Sequence, residues 1–166
     1  MGFTNPPFAL FVLVDTSHDT LNAVLKDAYN ATGVTWLELL STSSYADTIK
    51  RDPKKSHPGS TAPVDESFKS PFVGKKVEDV AEWIMKKPDD VDVDSHFFAI
   101  VDRRAEKDTT LVVCRIGDKY LKGEELSAMR FSAHDASLHL GGMEFGLWED
   151  FVGEDGKGGG LEKIEY

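Results

Sequence analysis

A chain of 166 residues with 40% hydrophobic content is long enough for one domain around one buried core. With 19 Lys and Arg against 29 Asp and Glu, the formal charge of −10 sets the chain against phosphate backbones and anionic lipid, so neither nucleic acid nor membrane is an expected partner. The lone cysteine, Cys114, excludes an internal disulfide and a cysteine metal cluster and fits a reducing, cytoplasmic setting.

The apolar run Phe8 to Val14 has no basic segment before it, and Pro6 and Pro7 stand where a signal peptide would start its helix. It predicts a central strand covered on both faces, ending at Asp15. A helix follows from about Thr20, with Asp19 or Ser17 as its cap, a stripe of Leu21, Val24, Leu25 and Ala28, and Gly33 as its left-handed stop. Val34 to Leu40 is the second strand, which makes the opening third a β-α-β unit.

Ser41 to Pro71 changes character: Pro53, Pro58, Pro63 and Pro71 interrupt any helix, and no apolar period persists. Residues 41–71 are expected to form a long polar loop or insertion. Lys50, Arg51, Lys54, Lys55 and Lys69 make it a basic island in an acidic chain, suited to a lid over an anionic ligand or to plain solvation. Beyond it, Val77 to Met85 has helical spacing and stops before Pro88. Phe97 to Asp102 repeats the shape of the first strand, and Leu111 to Ile116 follows closely enough for an antiparallel hairpin. Tyr120 to Arg130 is ambiguous and reads as a short strand and one helical turn. Phe145, Trp148, Phe151 and Val152 predict a last helix, and residues 153–166 a flexible Gly-rich tail.

The order β-α-β, α, β-β, α predicts a single three-layer α/β domain over residues 1–166, with a mixed, mostly parallel sheet and helices on both faces. No run approaches the ~20 apolar residues that span a bilayer.

Asp15 after the first strand, Phe98 to Arg103 closing the third, the strand Leu111 to Ile116, and Gly142-Met143-Glu144-Phe145 before the last helix resemble an uncharacterised family of small acidic α/β proteins from bacteria and fungi. The family pattern runs Thr-Asp-Phe, Asp-Arg and Asn-Met-Asp-Phe at these places. This chain departs from it at Thr16, Gly142 and Glu144. The family has no assigned activity, so the resemblance implies a domain boundary and no chemistry.

Several motifs fail on spacing. Around Gly156-Lys157-Gly158 a P-loop needs a glycine where Phe151 stands and a hydroxyl residue where Gly158 stands. Asp90, Asp92 and Asp94 open like a calcium loop, but Ser95 and Val101 occupy the glycine and bidentate-acid positions. His134, His139 and Glu144 match no metal-ligand spacing, and no Gly-x-Ser-x-Gly elbow is present. No metal and no cofactor is expected.

Position is the remaining guide. If the first and third strands are neighbours, Asp15 and Asp102 emerge together at their carboxyl ends with His18 above them, where open α/β sheets bind ligands. Two close carboxylates can share a proton, so Asp15, His18 and Asp102 are the candidate catalytic set, and Arg103, Lys54 and Lys55 the candidate holders of an anionic substrate group. The function this implies is cofactor-independent acid-base catalysis on a small molecule, of isomerase, cyclase or dehydratase type. The alternative is an acidic module of inhibitory or immunity type, in which Asp89, Asp90, Asp92 and Asp94 face a basic protein partner. Cys114, inside a strand, is expected to be a packing residue. Oligomeric state has no sequence signature here.

Overall fold

The structure, a computed structural model, describes residues 6–117, 126–142, 148, 152 and 159–166. Strand β1 is Phe8–Val12, buried at every position. Successive side chains of a strand alternate between faces, so such a strand needs cover on both sides. Phe8, Leu10 and Val12 join one apolar cluster, while Ala9, Phe11 and the following Leu13 join a second.

Helix α1 spans His18–Thr32. Of the two expected caps Ser17 serves, its Oγ accepting the Thr20 N–H at 3.1 Å, while Asp19 sits in the first turn against the positive end of the helix dipole. Its stripe of Leu21, Val24, Leu25 and Ala28 packs into the first cluster, and Gly33, at φ 70°, closes the helix. Strand β2 is only Leu37–Leu39, because residues 37–39 alone stay in register with Phe8, Ala9 and Leu10 of β1. Helix α2, Val77–Lys86, buries Val77, Val80, Ala81 and Ile84 in the second cluster.

Strand β3 (Phe97–Val101) runs parallel to β1. A short helix α3 (Ala105–Asp108) then turns the chain into β4 (Thr110–Ile116), which runs antiparallel to β3. Strand β5, Leu126–Ser132, adds a second antiparallel pairing on the far side of β4. The order is β2-β1-β3-β4-β5. The fold is thus α/β with a mixed sheet, but the expectation of a mostly parallel one is corrected. Only β2-β1 and β1-β3 pair in parallel, and the longest ladder, β4 with β5, is antiparallel. The β3–β4 pair is the expected antiparallel hairpin, its turn too short for the crossover that parallel neighbours need, and the difference comes from β5, which adds a second antiparallel pairing.

Beyond β5, Ser132 Oγ accepts the Asp135 N–H at 3.0 Å and starts α4, Ala133–Gly142, which packs Ala133, Ala136 and Leu140 into the first cluster. Leu138 to Leu140, which by sequence reads as a brief apolar segment of its own, belongs to this helix. Of the predicted last helix, Trp148 and Val152 are buried in the first cluster, and the rest lies outside the described residues. The expected flexible tail is corrected over residues 159–166. Ile164 is 8% exposed within the second cluster, and the Val77 N–H donates to the Tyr166 hydroxyl.

The 41–71 connection is tied down along its length. Tyr45 Oη donates to the Trp83 carbonyl and Trp83 Nε1 to that of Ser43, while Asn22 Oδ1 accepts the Val64 N–H. Ser70 Oγ donates to the Val12 carbonyl at 2.6 Å. Both sheet edges are covered by a glycine-led segment. Gly59 and Ser60 donate to Thr35 and Leu37 outside β2, and Gly160 donates to Ala128 outside β5. A Cβ on either glycine would lie within 2.5 Å of a strand carbonyl, so only glycine permits this approach.

Candidate functional site

The sheet order reverses about β1: the chain leaves β1 toward β2, then crosses back to β3 on the other side. Ligands in open α/β sheets gather at the carboxyl ends of strands near such a reversal. A crevice of about 470 Å³ lies there, walled by Val12, Val14, Leu21, Phe68 and Val73, with Asp15, His18 and Lys69 among its polar residues. Its volume falls in the range of small-molecule sites. Asp15 is exposed at the end of the strand and His18, first residue of α1, is half-buried. The His18 Nε2–H donates to the Phe68 carbonyl at 3.0 Å, since a carbonyl only accepts. In the neutral ring Nδ1 is therefore the proton-accepting nitrogen.

No family model matches the chain, and no curated protein and no solved structure is similar to it.

Asp102 does not line this crevice. It is fully buried, and Arg130 from β5 grips it with two guanidinium nitrogens, Nη1 to Oδ1 at 3.1 Å and Nη2 to Oδ2 at 2.5 Å. Oδ2 also accepts the Glu165 N–H at 2.9 Å, and Arg130 reaches on to Thr110 Oγ1 and the Lys163 carbonyl. The neighbouring strands are as expected, yet the two carboxylates do not share a hollow. Alternation aims Asp102 to the side of Ile100 and the second cluster, whereas Asp15, three residues past the end of β1, stands on the crevice wall with Val12 and Val14. Asp102 is a structural ion-pair partner that anchors the last residues of the chain.

The expected anion holders are elsewhere as well. Arg103 donates from Nε to the Tyr166 carbonyl. Lys54 and Lys55 stand exposed in a turn closed on Asp52, outside the crevice. From the basic island it is Lys69 that reaches the crevice, with Glu66 and Ser70 of the same segment. Two other members pair with the acidic run: Lys50 with Asp90 at 3.4 Å and Arg51 with Asp92 at 3.7 Å. Asp94 Oδ1 accepts the His96 and Phe97 N–H groups. The run therefore serves mainly to clamp the loop to the start of β3.

Cys114 is fully buried, and burial pushes its thiol well above the usual range, as suits a packing residue. Among the described residues no group of three or more His, Cys, Asp or Glu side chains is placed to hold a metal ion. No described helix is long and apolar enough to cross a membrane.

One carboxyl had no sequence signal. Glu38 on β2 is pushed up to about 7 by burial, with the Ser60 hydroxyl and the His57 charge acting in the opposite direction. A glutamate on a three-residue edge strand reads as a solvent-facing position until the segment that covers it is known.

Proposed function

We propose that the crevice at the carboxyl end of β1 binds a small molecule and acts on it by cofactor-independent acid-base chemistry of isomerase, cyclase or dehydratase type. His18 is the proton carrier in this scheme, and the observation that carries it is the Nε2–H···O=C bond to Phe68. That bond fixes the ring within a crevice of ligand size and leaves Nδ1 as the base, and histidine is the side chain most often used for general-base catalysis. Lys69 supplies a cation for an anionic group and Asp15 a second proton-exchanging group, both on the crevice wall. Asp102 leaves the catalytic set because Arg130 occupies both its oxygens. The scaffold of this proposal is a three-layer one, with α1 and α4 against one side of the sheet and α2 against the other, which holds the start of α1 rigidly above β1. A cytoplasmic small-molecule enzyme also accords with the single reduced cysteine.

The test is an NMR screen of small carboxylates and ketones against the ¹⁵N-labelled protein, each hit then being incubated in D2O. Hits are expected to shift the amides of Asp15, His18, Lys69 and Ser70. They should exchange a carbon-bound proton about 100-fold faster or more with the native chain than with a folded His18→Gln variant. Hits seated at Lys54 and Lys55 instead, or hits in the crevice whose exchange is untouched by His18→Gln, would overturn the proposal.

A further inference from the structure

The 41–71 connection walls two separate hollows. Glu66 to Ser70 border the crevice at the carboxyl end of β1, while Ser56, His57, Pro58 and Thr61 border another, of about 560 Å³, at the opposite end of that strand beside Pro7. The second hollow shares no lining residue with the crevice, and its volume is also that of a small-molecule site. Its far wall is the end of α1, at Tyr29 and Gly33, and the lead into β2, Val34 to Trp36. Backbone bonds pin both walls: the Phe8 N–H donates to the Trp36 carbonyl at 2.7 Å and the Gly59 N–H to the Thr35 carbonyl at 3.1 Å. The His57 Nε2–H donates to the Lys50 carbonyl at 2.7 Å. The hollow is therefore shaped in advance, which spares a ligand the cost of ordering it.

Three features of the wall select an occupant. Tyr29 and Val34 are 46% and 45% exposed, two of the four large hydrophobic side chains left open to water among the described residues, and both stand here beside Trp36. Aromatic faces flanked by proline rings suit a flat ring better than a flexible chain. With Nε2 committed to Lys50, Nδ1 of the neutral His57 ring is an acceptor that has no hydrogen-bond partner among the described residues. Lys54 and Lys55 lead directly into Ser56, are exposed, and take part in no ion pair among the described residues, whereas Lys50 and Arg51 of the same island are held by Asp90 and Asp92.

We propose that this hollow is a second binding site, for a planar aromatic anion. The ring packs against Tyr29 and Trp36, a hydroxyl or N–H on it donates to His57 Nδ1, and its anionic group meets Lys54 and Lys55 at the rim. In a chain of net charge −10, these two unpaired cations supply a local attraction that the surface as a whole denies an anion. The site stands apart from the acid-base reading of the crevice and does not depend on it.

The experiment is an NMR titration of the ¹⁵N-labelled chain with 4-hydroxybenzoate, which carries a flat ring, one donor and one carboxylate. Saturable shifts are expected at the amides of Gly33, Thr35, Ser56, His57 and Thr61, with those of Asp15 and His18 unmoved. An acid bound in the crevice would move the second group, so the two sites are read separately. 4-Methoxybenzoate, which keeps the ring and the charge but has no donor, should bind about three- to tenfold more weakly. Cyclohexanecarboxylate, without the flat ring, should also bind more weakly. Replacing Lys54 and Lys55 together by glutamine should weaken 4-hydroxybenzoate about two- to fivefold, and both residues are exposed, so the fold is not at risk. The proposal is overturned by shifts that do not saturate or that fall on Asp15 and His18. Equal affinity for cyclohexanecarboxylate, or indifference to methylation of the hydroxyl or to loss of the two lysines, would overturn it as well.

Discussion

At the scale of single residues, the firmest electrostatic feature is Asp102 with Arg130, whose side chains are 0% and 10% exposed. A buried carboxylate is costly unless its oxygens are occupied, and here a two-point guanidinium and the Glu165 N–H do so. Arg130→Met should destabilise the fold by about 3–5 kcal/mol, because it strands a buried charge. Combining it with Asp102→Asn should recover part of that loss, since neither charge is then buried. Urea unfolding of the three chains measures both steps, and a double variant no more stable than Arg130→Met would contradict the assignment. His18 and Lys69 lie on the crevice wall with far fewer structural ties, so they can be changed to probe chemistry with little risk to the fold.

Elements show where local pattern sufficed and where it did not. Helices α1 and α2 were legible because each carries an unbroken apolar stripe and a clear stop, and β1 and β3 because continuous apolar runs demand two-sided burial. Strand β5 was not, since Leu126–Ser132 mixes polar and apolar residues on both faces, and Arg130 looks like a solvated residue until Asp102 is placed opposite it. Helix α4 was missed despite a usable signal: Ser132-Ala133-His134-Asp135 has the spacing of a helix start, and Ser132 does cap it. The edge-covering segments belong to this scale too. At Gly59 a Cβ would sit 2.4 Å from the Leu37 carbonyl oxygen, so Gly59→Ala must push the segment off β2. A loss of about 1–3 kcal/mol is expected, together with faster amide exchange at Ser60 and Leu39. Gly74→Ala is the useful contrast, because a Cβ there meets nothing within 4 Å and only the positive φ of 86° is strained. Equal exchange at Ser60 in the two variants would count against close approach as the reason for Gly59.

For the whole molecule, two apolar clusters share one sheet, with alternate residues of β1 and β3 in each. A sheet common to both cores should make them unfold together. Leu21→Ala in the first cluster and Ile84→Ala in the second should each cost about 2–5 kcal/mol, as expected for deleting buried methyl groups. Each should shift one common transition, seen alike by Trp148 in the first cluster and Trp83 beside the second. Separate midpoints for the two tryptophans would show independent cores. The net charge of −10, which as composition suggested an acidic binding face, looks different once folded. Asp90, Asp92, Asp94 and Asp102 are each engaged within the molecule, so a partner would meet less of that charge than the count implies. By itself the sequence determined the local things: which segments are apolar enough to be strands or helices, where they stop, and that β1 and β3 are central. Periodicity and capping act over a few residues and can be read from a few residues. Only the tertiary structure decided that β5 joins the sheet antiparallel to β4, that Arg130 claims Asp102 from 28 residues away, that Lys69 rather than Lys54 or Lys55 reaches the crevice, and that Glu38 is covered. Each of these depends on contacts between distant segments, and their burial and charge exist only after the chain has closed on itself.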